Sequence, residues 1–164
     1  MRDAISLTRL QQLNPQRNVR GTFQSFIEEC EMTLDITLRI MEPVFRSIQE
    51  QNELFRKGRD IAGNIVGTIV TKAKGGQSFH NYGLAVDLCE LDPSGKQVNW
   101  SFDMGLLDPI AKKYGIEWGG DWQSIKDRPH FQISFGFTWQ DLYARYKAGH
   151  VDSQGYVLLY NPAT

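Results

Sequence analysis

The chain has 164 residues, which suits one domain with a sizeable hydrophobic core. Its apolar fraction of 41% is ordinary for a globular protein, and a formal net charge of −1 argues against a dedicated nucleic-acid binder. No stretch approaches the roughly 20 apolar residues of a membrane span, and the charged start MRDAISLTRL lacks the apolar core of a secretory signal. We therefore expect synthesis in the cytoplasm, no nucleic-acid partner and no insertion into a membrane.

The first third of the chain is helical in pattern. SLTRLQQL carries Leu7, Leu10 and Leu13 at helical spacing, and Asn14-Pro15 ends that pattern. VRGTFQSFIEECEMTLD predicts a second helix, with one apolar face formed by Val19, Phe23, Phe26, Ile27 and Cys30. The two cysteines of the chain, Cys30 and Cys89, are too few for a disulfide framework, so we expect two small buried side chains.

A strand and a third helix follow. ITLRIMEPVF, residues 36–45, alternates apolar and polar side chains and predicts a strand that ends at Pro43. Ser47, with Glu50 three positions later, is the signature of a capping box at the start of a helix. Gly58 is placed to end that helix.

The remaining segments mix strands and helices. Residues 60–78 are rich in glycine and predict a loop, with a short strand near residues 69–71. Strands are predicted in GLAVDLCEL, GIEW and HFQISF, and helices over residues 105–114 and in TWQDLYARYKAG, between Thr138 and Gly149. Because helices come first and strands cluster in the middle, we expect an α+β fold with a small, mainly antiparallel sheet flanked by helices.

Alternation within two of the strands places reactive side chains on one face. In LAVDLC the three large aliphatic residues share one face, and Asp87 lies on the other. In HFQISF three apolar residues likewise point away from His130. If both strands belong to one sheet, Asp87 and His130 project together, and His80 can fold back across the turn at Gly83 to join them.

Two imidazoles and one carboxylate with an open fourth position are typical of a catalytic zinc site. Asp127 lies three residues before His130, and Pro129 favours extended backbone just ahead of it, so Asp127 could serve as a base beside the metal. The alternative is that the histidines are structural residues with satisfied hydrogen bonds. Asp87 is harder to explain in that way, because burying an unpaired carboxylate is costly.

Four motifs occur in a fixed order: FRSIQEQNELFRKGR at residues 45–59, SFHNYGLAVD at 78–87, WGGDW at 118–122 and DRPHF at 127–131. On these residues the chain resembles the zinc D-alanyl-D-alanine carboxypeptidase superfamily of cell-wall peptidases. Within it, the chain is most similar to the L-alanyl-D-glutamate endopeptidases of phage endolysins and bacterial wall hydrolases. The resemblance covers about residues 43–135 and implies a fold of the hedgehog and D-Ala-D-Ala-peptidase type.

The resemblance also implies roles for individual residues. His80, Asp87 and His130 would hold zinc, and Asp127 would be the general base and acid. Arg46 would contact the substrate carbonyl or its developing oxyanion, where a fixed cation is physically sensible. The family often has Gly-Tyr where this chain has Val-Phe at residues 44–45. This departure lies directly before Arg46 and therefore affects where its side chain is placed.

Further candidates surround these motifs. Ser78 is expected to order the loop that carries His80, and scaffold roles are implied for Gln51 and Arg59. Trp118 and Trp122 either line a substrate cleft or belong to the packing, and we group them with Ser78 as candidate substrate-binding residues. Two further residues have non-catalytic interpretations. Asp121 is either a turn residue or a hydrogen-bond partner of a ligand histidine, and His150 is a surface histidine.

We therefore expect a single catalytic peptidase domain over residues 1–164. It would comprise an N-terminal helical part with the first strand (1–42), the motif-bearing core (43–135), and a C-terminal helix and tail (136–164), without a separate wall-binding domain. The expected activity is zinc-dependent hydrolysis of the L-Ala–D-Glu bond in peptidoglycan stem peptides, by a monomer that reaches the wall after release or export. Two alternatives remain: a D-Ala-D-Ala carboxypeptidase or dipeptidase with the same zinc site, and a non-catalytic, zinc-stabilised wall-binding module.

Overall fold

The computed structural model describes residues 1–123 and 126–160. Within them the α-helices are α1 (Ala4–Arg9), α2 (Val19–Leu34), α3 (Ile48–Arg56), α4 (Asp108–Lys113) and α5 (Trp139–Lys147). The strands are β1 (Thr37–Ile40), β2 (Ala85–Leu91), β3 (Val98–Asn99), β4 (Glu117–Trp118) and β5 (His130–Gln132). Short 3-10 helices lie at Leu10–Gln12, Gln16–Asn18, Phe79–Tyr82, Met104–Leu107 and Gly119–Asp121. Among the described residues, none of the helices has the length and apolar character needed to cross a membrane.

The strands form one sheet in the order β1-β2-β5-β4, and β3 pairs with the C-terminal end of β2. Every pairing is antiparallel, so the α+β architecture expected from the sequence is confirmed. The central strand β2 pairs with β1 along its second half and with β5 along its first half. The second pairing sets Asp87 directly opposite His130, which brings two of the predicted site residues together.

Helix α2 supplies much of the core beneath the sheet. Its predicted apolar face is fully buried: Val19, Phe23, Phe26, Ile27 and Cys30. The Phe26 ring packs against Phe131 of β5, with ring centroids 5.4 Å apart. Since burying one large apolar side chain is worth about 1.5–3 kcal/mol, this contact anchors the strand that carries His130. Both cysteines are buried and free, as expected.

The predicted helix ends are confirmed. Ser47 accepts a hydrogen bond from the Glu50 backbone at 3.1 Å, and the Glu50 carboxylate accepts one from the Ser47 backbone at 2.8 Å. Thr138 and Asp141 form the same reciprocal cap at the start of α5. Gly58, just past α3, adopts a left-handed φ of 75° that suits glycine.

Some local predictions were wrong. Leu7 is exposed, because α1 ends at Arg9 and the chain tightens into a 3-10 turn that directs only Leu10 and Leu13 into the core. No strand forms at residues 69–71; instead Arg59 pairs with Ile65 in an isolated antiparallel bridge. Strand β5 stops at Gln132, earlier than HFQISF suggested.

Candidate metal centre and active site

A tight turn carries His80 back toward the sheet. The turn begins at Ser78, whose hydroxyl accepts a hydrogen bond from the His80 backbone at 3.3 Å. It ends at Gly83, which has φ 66° and lies so close to the backbone of Asn14 that an added Cβ would be 2.7 Å from its nitrogen. Glycine is therefore required there, and the turn places the His80 ring beside the first residues of β2.

The three predicted ligand residues converge on one atom. Nε2 of His80 and Nδ1 of His130 each lie 3.3 Å from the same Asp87 carboxylate oxygen, Oδ1. The two rings meet edge to face, with centroids 5.1 Å apart. One possible ligand atom from each residue lies within 4.8 Å of the other two. The three side chains can therefore hold a metal ion.

The outer nitrogen of each ring is held by its own acceptor. Nδ1 of His80 lies 2.9 Å from the Val44 carbonyl, and Nε2 of His130 lies 3.0 Å from the Gln132 side-chain oxygen. Each acceptor requires a proton on the nitrogen that it faces, which leaves a lone pair on the inner nitrogen. Two lone pairs and a carboxylate oxygen can thus face one another, an arrangement that a metal ion between them would stabilise.

The distances suit a tetrahedral transition-metal ion. With metal–ligand bonds of about 2.0–2.2 Å, neighbouring ligand atoms in a tetrahedron are about 3.4 Å apart. The two 3.3 Å separations around Asp87 match that spacing. The mixed nitrogen and oxygen donor set suits the same class of ion. Two of the three ligand separations therefore fit a tetrahedral metal site, and all three lie within 4.8 Å.

Electrostatics within the cluster already favours positive charge. Burial acts to raise the pKa of Asp87, but when protons rather than a metal ion occupy the inner ring nitrogens, hydrogen bonds from His130 and His80 outweigh burial and hold that pKa well below its ordinary value. Burial acts to lower the pKa of His130, yet the hydrogen bond and charge of Asp87 more than reverse this effect and raise it. Both shifts indicate that positive charge on the histidine side of the cluster stabilises the Asp87 carboxylate.

Asp127 lies at the entry to β5, next to the cluster. Its backbone nitrogen donates to the Gly119 carbonyl at 3.0 Å, and its carbonyl accepts from the His130 backbone at 3.2 Å. The residue keeps access to solvent, but desolvation by the surrounding protein raises the pKa of its carboxyl, against an opposing effect of His130. Gly119 permits this approach, because an added Cβ would lie 2.5 Å from the Asp127 carbonyl oxygen.

Arg46 is fixed by Gln51. One guanidinium nitrogen of Arg46 donates to the buried Gln51 side chain at 2.8 Å, and Gln51 in turn donates to the Ala73 carbonyl at 2.8 Å. Within the described part of the chain, Nε of Arg46 is buried without a hydrogen-bond partner. Burial lowers the pKa of Arg46, and the charges of Asp87, Glu50 and Asp127 act in the opposite direction. Arg46 is thus an immobilised cation that interacts electrostatically with the carboxylates of Asp87 and Asp127.

The two tryptophans occupy different positions. Trp118 donates from its indole nitrogen to the Arg128 carbonyl at 2.7 Å and stacks on Phe131, so it packs under the loop that carries Asp127. The Trp122 ring lies 5.0 Å from the His130 ring and borders the cluster itself. Two other candidates lie on the surface, Asp121 in an ion pair with Lys112 and His150 as an exposed residue.

Sequence reasoning missed the residues that orient the ligands. Gln132 accepts from His130 and donates to Glu117 at 3.1 Å, which links β5 to β4. Its position two residues after His130, on the same strand face, was the available signal. The Val44 carbonyl and the close packing at Gly119 left no comparable signal, since backbone contacts between distant segments have no sequence signature.

Comparison with known proteins agrees with this geometry. Residues 71–133 match the model of a family described as D-alanyl-D-alanine carboxypeptidase. The chain is 43% identical over 99 residues to the peptidoglycan L-alanyl-D-glutamate endopeptidase CwlK of Bacillus subtilis (strain 168), covering 54% of this chain and 56% of that protein. It is 38% identical over 63 residues to the L-alanyl-D-glutamate peptidase of Listeria phage A118, covering 36% of this chain and 22% of that protein. The chain thus spans little more than half of one curated relative and less of the other.

Solved structures share the fold. The L-Ala D-Glu endopeptidase ChiX of Serratia marcescens superposes with a TM-score of 0.57 at 25% identity, covering 80% of this chain and 88% of that one. The vancomycin-resistance D,D-pentapeptidase VanY, solved in complex with Zn(II), gives 0.52 at 19% identity, covering 78% and 77%. With the ordered motifs and the converging cluster, the match over residues 71–133 shows that this segment is similar to the D-alanyl-D-alanine carboxypeptidase family.

Proposed function

We propose that the protein is a zinc peptidase that hydrolyses the L-Ala–D-Glu bond of peptidoglycan stem peptides. The observation that carries the proposal is the convergence of His80, Asp87 and His130 on one point, beside Asp127. Similarity to two L-alanyl-D-glutamate peptidases supports the choice of bond. The fold shared with ChiX is consistent with the same choice.

His80, Asp87 and His130 would supply three ligands and leave further coordination positions open, as catalytic zinc sites do. When bound, zinc would polarise the scissile carbonyl and lower the pKa of a coordinated water to about 7. The chain's part is to hold the ligands in their metal-binding tautomers. The Val44 carbonyl and Gln132 perform that task through the outer ring nitrogens.

Asp127 would move the proton. Its carboxylate accepts a proton from the attacking water and then donates it to the amide nitrogen of D-Glu as the carbon–nitrogen bond breaks. Desolvation by the surrounding protein acts to raise the pKa of Asp127, which favours its taking up a proton. Its place at the entry to β5 keeps it beside the ligands without making it one of the three.

Arg46 would stabilise the negative charge that develops on the carbonyl oxygen. A guanidinium held by Gln51 needs little reorganisation when that charge appears, which is the condition for effective oxyanion stabilisation. Trp122 would form one wall of the substrate cleft, since its ring borders His130. Ser78 and Trp118 would act indirectly, by ordering the loops that carry His80 and Asp127.

The proposed substrate places the protein at the cell wall, which it would reach after release or export. One chain would suffice, because all of the proposed site residues come from a single polypeptide. The family description leaves D-Ala-D-Ala carboxypeptidase or dipeptidase activity as the principal competing function of the same site.

Mass spectrometry of digested muropeptides tests the choice of bond. Purified protein with zinc should leave L-Ala on the muramyl product and release peptides that begin with D-Glu. Zinc-stripped protein is the matched control and should produce neither fragment until zinc is restored. Loss of a terminal D-Ala instead would establish the carboxypeptidase alternative, and zinc binding without any cleavage would establish a binding module.

A further inference from the structure

The segment of residues 56–74, here called the basic hairpin, differs in charge from the rest of the molecule. It contains five Lys and Arg residues and a single acidic residue, whereas the remainder of the chain contains 13 basic and 18 acidic residues. The segment therefore has a net charge of +4, whereas the remainder of the chain has a net charge of −5. Such a separation of charge is a physical basis for binding an anionic surface.

Hydrogen bonds fix the shape of the basic hairpin. Backbone nitrogens of Val66 and Gly67 both donate to the Gly58 carbonyl, at 2.9 and 3.1 Å. The single carboxylate, Asp60, accepts from the Asn64 backbone at 2.8 Å and from its side chain at 3.0 Å. Asp60 is therefore engaged in closing the hairpin tip, and among the described residues its hydrogen bonds go to Asn64 rather than to the nearby lysines and arginines.

Large aliphatic side chains project from the same segment. Ile61 is fully exposed, and Ile65, Val66 and Val70 are 70%, 68% and 58% exposed. Isolated exposed aliphatic residues are common on protein surfaces, but four within ten positions of one segment is a local density typical of interaction sites. The basic hairpin thus combines exposed apolar side chains with flanking cations.

A pocket of about 280 Å³ lies between the basic hairpin and α3. Arg56, Arg59 and Lys74 line it together with the ring of Phe55. Arg59 is engaged with the carbonyls of Phe55 and Thr71, so it serves mainly to shape the pocket. Arg56 and Lys74 are exposed and present their charge at the rim, where a phosphate group could bind.

We propose that the basic hairpin docks peripherally onto an anionic phospholipid surface. Ile61 and Ile65 enter the boundary between headgroups and acyl chains, while the lysines and Arg56 meet headgroup phosphates. This docking requires no spanning helix and does not depend on the proposed peptidase activity. Gln51 joins the hairpin to Arg46 through the Ala73 carbonyl, so docking would hold the candidate active site close to the lipid surface.

The chemistry of the patch favours lipid over the other possible occupants. A polyanionic wall polymer would satisfy the cations but would leave the aliphatic side chains in water. A second copy of this chain would bring two patches of like charge together in a symmetric contact. An anionic lipid surface offers both an apolar phase and negative charge, which matches both features of the basic hairpin.

Vesicle sedimentation tests the proposal, with the full chain and two lipid compositions. Vesicles of phosphatidylcholine containing about a third phosphatidylglycerol should bind at least about tenfold more tightly than phosphatidylcholine alone, and salt should weaken the binding. Lys72→Gln with Lys74→Gln should lower affinity for the anionic vesicles by about fivefold for each lysine removed. Both lysines are exposed, so the variant should retain its thermal unfolding midpoint.

The apolar contribution is tested separately by Ile61→Ser combined with Ile65→Ser. Vesicle binding should fall at least about tenfold, whereas Met32→Ser, which removes an exposed apolar side chain from α2, should change nothing. No preference for anionic vesicles would overturn the proposal. Unchanged binding by the isoleucine variant, together with competition by soluble polyphosphate, would also overturn it and would indicate a polyanion site. A dimer in solution that these substitutions abolish would overturn it as well.

Discussion

The ligand cluster of His80, Asp87 and His130 and the basic hairpin are built in opposite ways. In the cluster, His80 and His130 are buried, and each ring nitrogen faces a defined partner. In the basic hairpin, backbone hydrogen bonds fix the shape, while the apolar side chains remain in solvent. Burial and defined hydrogen bonds hold the atoms of the cluster in place for chemistry. Exposed apolar side chains, in contrast, leave the basic hairpin with apolar surface that a binding partner can bury.

This contrast predicts that substitutions in the cluster change catalysis and metal binding, whereas substitutions in the basic hairpin leave both intact. The largest effect should come from Asp127→Asn, which removes the proton acceptor and keeps the size of the side chain. We expect kcat to fall about 10²–10⁴-fold, because that is the usual contribution of general acid–base catalysis. Zinc content should be unchanged, because Asp127 is not among the three converging residues.

Muropeptide turnover and zinc content, measured on the same preparation, check this prediction. Asp121→Asn is the matched control, since Asp121 is exposed and paired with Lys112 on the surface. That control should retain full activity. Normal turnover by Asp127→Asn would show that another group moves the proton.

An intermediate effect is expected from Gln132→Ala. Loss of the side-chain oxygen that faces His130 removes the group that fixes its tautomer, so zinc affinity should fall about 10–100-fold. Competition with a chromophoric chelator measures that affinity independently of activity. Gln140→Ala, on the exposed surface of α5, should bind zinc like the unmodified chain. Equal affinities for both variants would mean that Gln132 does not orient the ligand.

A smaller effect distinguishes two glycines, one in each region. Gly119→Ala would force a Cβ to within 2.5 Å of the Asp127 carbonyl, and the resulting overpacking should cost about 1–3 kcal/mol of unfolding free energy. Gly67→Ala in the basic hairpin meets only one atom, at 3.5 Å, and should change stability by less than about 0.5 kcal/mol. Urea denaturation measures both, and equal costs would contradict the difference in packing.

Much of the fold could be predicted because its signals are local. The apolar face of α2 follows from helical periodicity, and the cap at Ser47 and Glu50 follows from residue spacing. Strand alternation placed Asp87 and His130 on one face, and the structure brings them to 3.3 Å. These features need only the residues near them in sequence.

Other features depend on contacts that local patterns do not encode. Residues 69–71 have strand-forming side chains, but they find no partner in the sheet, because the hairpin closes on Gly58 instead. Gln132 meets Glu117 only because β4 pairs with β5. The Val44 carbonyl contacts the ring of His80, which lies 36 positions later in the sequence, and no residue type predicts a contact made by a backbone carbonyl.

Zinc binding to the purified chain, beside His130→Ala and His150→Ala, tests the central claim most directly. The two variants remove the same side chain, one from the cluster and one from an exposed position outside it. We predict one zinc ion per chain, an affinity at least about a hundredfold lower for His130→Ala, and no change for His150→Ala. Wild-type affinity in His130→Ala, or loss of zinc in His150→Ala, would contradict a metal centre built from His80, Asp87 and His130.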